Sequence, residues 1–321
     1  MKFRIVNKIA CGYFACVYLV RYEDQDENFG NVYAMRVSRY PANKIKEKHN
    51  SITNELEFMK FASSHPQFFA LLKFKPWFER DYKMVDNPVI HSMPDKPAYN
   101  KSPFTLFQIY EYVGDVWINC VRSLNRAARI TSLIQIFYAV MLMNNAGYRH
   151  RDLNPGNITI RQVEADMTTD MQLGGTTIKC KTYGWMISLI DFGSIAHKNW
   201  SWNGAQINTW INDTLNEFPT LLFHLFVRNT GTILTKAELS HLTASTPEID
   251  RLIDRVTDKG KHPLRSMERS RFIVLYKMLM TADEQSLYGF SPTLIMSLLP
   301  LVYKPVALIR LLLNEIEPQS A

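Results

Sequence analysis

Two short polar stretches constrain this chain more than anything else in it. They are YRHRDLNPGNITI, from Tyr148 to Ile160, and LIDFGSI, from Leu189 to Ile195. The first holds His150-Arg151-Asp152 and, five residues after the Asp, Asn157; the second holds Asp191-Phe192-Gly193. Each follows or ends an apolar run, so the polar residues stand at turns interrupting segments that must be buried.

The first stretch satisfies H-R-D-L-x-x-x-N at every fixed position, and the second satisfies D-F-G at all three. In these motifs and their order the chain resembles the eukaryotic-type protein kinase superfamily. The resemblance implies an α+β, bilobal protein-kinase-like fold: a small β-rich lobe with one helix over residues 1–113, and a larger, mainly helical lobe over 114–321. It also implies ATP and Mg2+ as cofactors. Asp152, expected to be buried, would accept the proton of the attacking hydroxyl, and Asn157 and Asp191 would hold metal against the phosphates. His150 would pack as a spine residue beneath Phe192.

The first lobe can be read against the same pattern. Phe3 to Val20 reads as two strands around a turn at Gly12, with Ile5, Ile9, Val17, Tyr18 and Val20 as β-formers. The family's glycine-rich loop, aligned by Phe14, Val17 and Tyr18, keeps only Gly12; Ala10 and Ala15 stand at the flanking glycine positions. Alanine keeps the loop small but disfavours positive φ. Asn31 to Ser38 reads as the next strand and resembles V-A-I-K as Tyr33-Ala34-Met35-Arg36. Ala34 and Val17 would pack on adenine, and Arg36 stands where the family has lysine. Arginine keeps the charge but is longer, planar and forked.

Lys44 to Ala62 has helical spacing and resembles the family's αC helix, with Glu55 as the partner of Arg36. Glu57 is the alternative, but two positions along a helix it points elsewhere. Choosing Glu55 leaves Met59 facing the D-F-G side. Phe68 to Phe78 and Phe104 to Val113 read as further strands, with a proline-bearing insert, Glu79 to Pro103, between them. By resemblance Tyr110 guards the back of the nucleotide pocket, and backbone groups near Glu111 and Val113 bond the adenine edge.

In the second lobe, Val116 to Asn145 reads as helix. Asn154, two after Asp152, replaces the lysine that touches the γ-phosphate in protein kinases. The loss of one such donor costs on the order of 100-fold in rate. Thr159 to Val163 and Thr177 to Ile190 read as strands, with Glu164 to Gly175 an extended hairpin between them. The segment after D-F-G lacks A-P-E. It looks similar to haspin-like kinases and to kinases carried by large DNA viruses. Asp213 is the candidate acid that anchors the H-R-D loop. Residues 232–314 read as several amphipathic helices, one starting at Ser291-Pro292.

Size and composition admit this fold. The chain has 321 residues, 46% of them hydrophobic, and 37 Lys plus Arg against 30 Asp plus Glu. The basic excess is too dilute, and too poor in dense Lys/Arg runs, to indicate a nucleic-acid partner. Thr293 to Leu313 is apolar but interrupted by Pro300, Lys304, Pro305 and Arg310, so it reads as buried helix and no membrane span is expected. Cys11, Cys16, Cys120 and Cys180 show no C-x-x-C spacing and read as thiols of a reducing compartment. An intracellular, cytoplasmic protein is expected, in a host cytoplasm or virion if viral. The expected activity is serine/threonine phosphorylation of a protein substrate, because the tyrosine-kinase arginine pattern is missing from the catalytic loop. Two alternatives remain open. One is a nucleotide-binding pseudokinase, motivated by Arg36, Asn154 and the loop alanines. The other is a small-molecule phosphotransferase, since DLNPGN is also similar to the D-L-H-P-G-N loop of aminoglycoside and choline phosphotransferases.

Overall fold

A computed structural model describes residues 3–11, 15–22, 32–40, 45–80, 104–198, 200, 217–218, 221–226, 245–256, 266–285 and 287–316. Gly12, Asp213 and most of the 79–103 insert lie outside the described residues. The chain is mixed α+β, with an antiparallel sheet first and helices later. It divides into two compact units, Met1–Val113 with Phe192–Ile195, and Gly114–Asp191 with Ala196–Ala321.

The first unit is built on a five-stranded sheet in the order β1-β2-β3-β5-β4. Its strands are β1 (Phe3–Cys11), β2 (Ala15–Tyr22), β3 (Val32–Tyr40), β4 (Trp77–Arg80) and β5 (Phe104–Glu111). Strand alternation sorts the side chains onto two faces. Cys16, Tyr18 and Val20 of β2, Met35 and Val37 of β3, and Phe107 and Ile109 of β5 form one buried cluster. The other face carries Val17, Ala34, Arg36, Gln108 and Tyr110, and the helix α1 (Ile45–Ala62) packs there through Glu55. Residues 68–76 do not form the expected strand. They run mostly as irregular chain with isolated bridge residues, among them Leu72 opposite Tyr110, and β4 begins only at Trp77. Buried rings at Phe68 and Phe69 explain this: both side chains are fully buried, and consecutive residues of a regular strand would send them to opposite faces.

Cys11 and Cys16 are joined by a disulfide, which corrects the reading of four thiols. The β1–β2 register sets these two directly opposite each other, with Cα atoms 4.1 Å apart. Spacing in sequence did not reveal the pair because hairpin register, not a motif, brings it together. Cys120 and Cys180 are free thiols.

The second unit is organised around α3 (Arg126–Asn145), preceded by the short α2 (Trp117–Cys120). The helix break that the sequence did not signal falls at Leu124-Asn125. Asn125 caps α3 by accepting the Ala128 N–H at 2.8 Å, a bond worth about 1 kcal/mol to a helix. Among the described residues α3 is the one helix long and apolar enough to cross a membrane, and 78% of that stretch is buried within the protein. Its Gln135 bridges to β11 (Trp185–Leu189), accepting from Ile187 N–H and donating to the Trp185 carbonyl.

Three strands, β6 (Asp115–Val116), β8 (Ile158–Gln162) and β11, form one sheet in the order β11-β8-β6. The hairpin expected over 164–175 lies a little later, as β9 (Thr168–Leu173) and β10 (Thr176–Lys181). It turns at Gly174 and Gly175, both at positive φ, the backbone a two-residue hairpin turn demands. The run 177–190 is broken by a turn where Tyr183 and Gly184 adopt positive φ. Described helices after residue 245 are α4 (Pro247–Val256), α5 (Ser266–Thr281), α6 (Pro292–Leu298) and α7 (Pro305–Ile316). Ser291 is the residue before α6 and Pro292 its first residue, without a side-chain capping bond.

Candidate functional site

In the first unit, register alone assembles most of the residues the sequence singled out. Val17 pairs with Arg36, Ala34 with Tyr110, and Arg36 with Gln108. Paired residues on adjacent strands share a face, so Val17, Ala34, Arg36 and Tyr110 form one contiguous patch. Val17, Ala34 and Arg36 are half-buried, and Tyr110 is buried.

Glu55 is fully buried on α1, whereas Glu57 is exposed. One Glu55 oxygen accepts from Gln108 Nε2 at 2.7 Å and the other from the Tyr110 hydroxyl at 2.6 Å. Phe58 of α1 packs on Phe192 with tilted rings, centroids 4.4 Å apart, and Phe69 meets Phe192 edge-on. Met59, expected on that side, is half-buried and its sulfur accepts from Leu72 N–H. Ser51 adds a hydroxyl bond to the Gly193 carbonyl at 2.6 Å. The Glu111 N–H donates to the Leu71 carbonyl and its carboxylate reaches Lys73 at 3.4 Å. Val113 is buried at the end of the unit.

In the second unit the polar loop hangs between β7 (Tyr148–Arg149) and β8, and β7 is paired with β12 (Ala196–His197). Asp152 is the hub of the loop. Asn157 Nδ2 donates to the Asp152 carbonyl at 2.7 Å and approaches its carboxylate at 3.4 Å. Asn154 Nδ2 donates to the same carbonyl at 3.0 Å and to the carboxylate at 3.3 Å. The Asn154 side-chain oxygen meanwhile accepts from Gly156 N–H at 2.9 Å, capping the turn Pro155–Asn157. Asp152 itself is exposed, not buried as expected, because the loop is anchored by its neighbours. Leu153 and Pro155 bury beneath it, and His150 is fully buried.

The Asn157 carbonyl accepts from Ile190 N–H at 3.0 Å, which ties the loop to the residue before Asp191. His150 Nε2 donates to the Ile190 carbonyl at 2.9 Å, so both sides of Ile190 are bonded to the loop. Arg151 and Asp191 adopt φ of 65° and 61°, left-handed conformations that non-glycine residues hold mainly where surrounding structure imposes them. Burial pushes the His150 imidazole below its ordinary value near 6.5, against the opposing pull of the Ile190 carbonyl and the Asp191 and Asp152 carboxylates. The ring is therefore held neutral.

The anchor of this loop is Glu217. Its carboxylate accepts from His150 N–H at 3.0 Å and lies 3.5 Å from the buried Arg149 guanidinium. Asp213, the residue proposed for that role from the sequence, lies outside the described residues. Glu217 could have been found as a carboxylate one helical turn further on, within the apolar segment that continues to Phe226. Gln108 was also missed, although an amide in the apolar run FTLFQIY is itself a sign of a buried polar contact.

For a metal, the donors fit. With Asn157 Nδ2 turned to Asp152, its amide oxygen is the atom that would meet a cation, and Asp191 follows the residue bonded to the same loop. No cluster of three or more His, Cys, Asp or Glu exists among the described residues, so a cation here would complete its shell with water or a ligand. Comparison with known proteins found no family model and no curated protein that matches the chain.

Proposed function

We propose that this protein is an ATP- and magnesium-dependent serine/threonine protein kinase of bilobal, kinase-like architecture. The observation that carries the reading is the Asp152 loop. Two asparagine amides converge on Asp152, and backbone and imidazole bonds tie the same loop to Ile190 and so to Asp191. A second observation supports it independently: the sheet register puts Val17, Ala34, Arg36 and Tyr110 on one face, as a nucleotide-holding surface requires.

In this reading Asp152 accepts the proton of the acceptor hydroxyl and orients its oxygen. Its exposure suits an acceptor presented on the surface of another protein better than a small molecule enclosed in a deep pocket. The hydrogen bonds from Asn154 and Asn157 hold its carboxylate in place. Asn157 and Asp191 would hold magnesium, which when bound supplies positive charge to the transferring phosphate. Ala34 and Val17 present small apolar surface to the base, and Arg36 presents the cation to the phosphates. Asn154 supplies no charge, and its amide is committed to the turn, so Arg36 is the main protein cation and the rate is expected to be slow.

The test is transfer of labelled phosphate from ATP with magnesium to the protein itself and to generic acidic and basic proteins. Transfer that disappears in Asp152→Ala supports the kinase. Nucleotide binding without transfer would favour a pseudokinase, the reading that the committed Asn154 amide recommends. Neither binding nor transfer would overturn both.

A further inference from the structure

Glu55 is a buried carboxylate that accepts from two neutral side chains. It is fully buried, as is Gln108, and Tyr110 is 8% exposed. Gln108 Nε2 donates to Glu55 at 2.7 Å and to the Tyr110 oxygen at 3.0 Å, and the Tyr110 hydroxyl donates to Glu55 at 2.6 Å. The three side chains close a ring in which each contacts the other two. Its chemistry assigns the amide unambiguously: only the NH2 end of Gln108 can face a carboxylate. The outer Gln108 oxygen then stays buried without a hydrogen-bond partner. Such an orphan is costly, and it persists where the other contacts of the group over-determine its position.

Register adds the consequence. Gln108 stands directly opposite Arg36, and Tyr110 directly opposite Ala34. The strand that holds Glu55 is thus the immediate neighbour of the strand that carries the cation.

We propose that Gln108 and Tyr110 are positioning residues that hold the Glu55 carboxylate, and with it α1, over the Arg36 face of the sheet before any nucleotide arrives. This rests on the kinase reading for its catalytic meaning. In that setting an arginine in place of lysine gains a carboxylate whose place is fixed from β5. The helix needs no separate event to bring Glu55 inward. Tyr110 has a second effect, because its hydroxyl is tied to Glu55 and its ring closes the space behind Ala34.

The experiment compares wild type with Tyr110→Phe, Gln108→Leu and the double variant, which keep side-chain volume close to the original. Amide hydrogen exchange over residues 45–62 is measured without nucleotide, and kcat and the KM for ATP are measured alongside nucleotide-binding stoichiometry. Glu57→Gln, on the exposed side of α1, is the control and should match wild type. Faster exchange over α1, with kcat lowered about tenfold and the KM for ATP held within about twofold at unchanged stoichiometry, supports the proposal. Exchange over α1 unchanged in the double variant would overturn it. So would faster exchange with kcat intact, since Glu55 would then not need holding. If wild type itself transfers no phosphate, the kinase reading falls, and the exchange measurement alone still decides whether these residues hold α1.

Discussion

His150 shows how one residue couples the loop's chemistry to its stability. Its ring is fully buried, its Nε2–H is spent on the Ile190 carbonyl, and its N–H is taken by Glu217. Burial lowers its folded-state pKa below the ordinary 6.5. In the unfolded chain the ring protonates near 6.5, so the unfolded state binds more protons below that pH. The contribution of His150 to stability is therefore full above about pH 6.5 and is lost progressively as pH falls towards the folded value. Thermal melts at pH 7.5 and 5.5 should show a drop in Tm on acidification that is smaller in His150→Asn; an equal drop in both would refute this. Asp152 contrasts with it. It lies on the surface, held by the amides of Asn154 and Asn157 and not by a buried environment.

At the scale of elements, the loop is held by a carboxylate from a later helical segment. Arg149 is 2% exposed and its partner Glu217 9%. A buried pair of this kind contributes little beyond a hydrophobic substitute, but removing one partner strands the other charge. Glu217→Gln should destabilise the protein by about 3 kcal/mol, read by urea unfolding. The pairing of β7 with β12 should be the first structure to lose hydrogen-exchange protection. A change below about 0.5 kcal/mol would mean that the remaining bonds of Arg149, such as that to the Tyr148 carbonyl, compensate. At the same scale, the β1–β2 hairpin is closed by Cys11–Cys16. Register makes that closure available, and Gly174-Gly175 does the equivalent work for β9–β10 by backbone conformation alone.

At the scale of the whole molecule, the kinase reading predicts linkage between nucleotide and folding. A ligand that binds only the folded state at 100 times its Kd stabilises by about 2.7 kcal/mol. MgATP at saturating concentration should therefore raise Tm by several degrees. Asp191→Asn should remove the magnesium-dependent part of that rise and leave the effect of nucleotide alone. A melting curve indifferent to MgATP would remove the nucleotide site from both the kinase and the pseudokinase accounts.

Sequence by itself determined the local facts. VYAMRVS and FTLFQIYE were legible as strands, and the broad apolar faces of the stretch ending at Asn145 were legible as the central helix. The motif residues Asp152, Asn157 and Asp191 were legible as a pattern, and the folded loop brings Asn157 to Asp152 and ties it to the residue before Asp191. Only the tertiary structure decided what depends on register and on distant packing. It joined Cys11 to Cys16, put Phe58 on Phe192, and buried the adjacent rings Phe68 and Phe69 outside any regular strand. It also placed Gln108 on Glu55 and brought Glu217 to His150. Each of these contacts joins residues whose own spacing carries no signal. Their partners are selected by which side chains the sheet register and the helix phase leave facing one another, and that is a property of the folded chain.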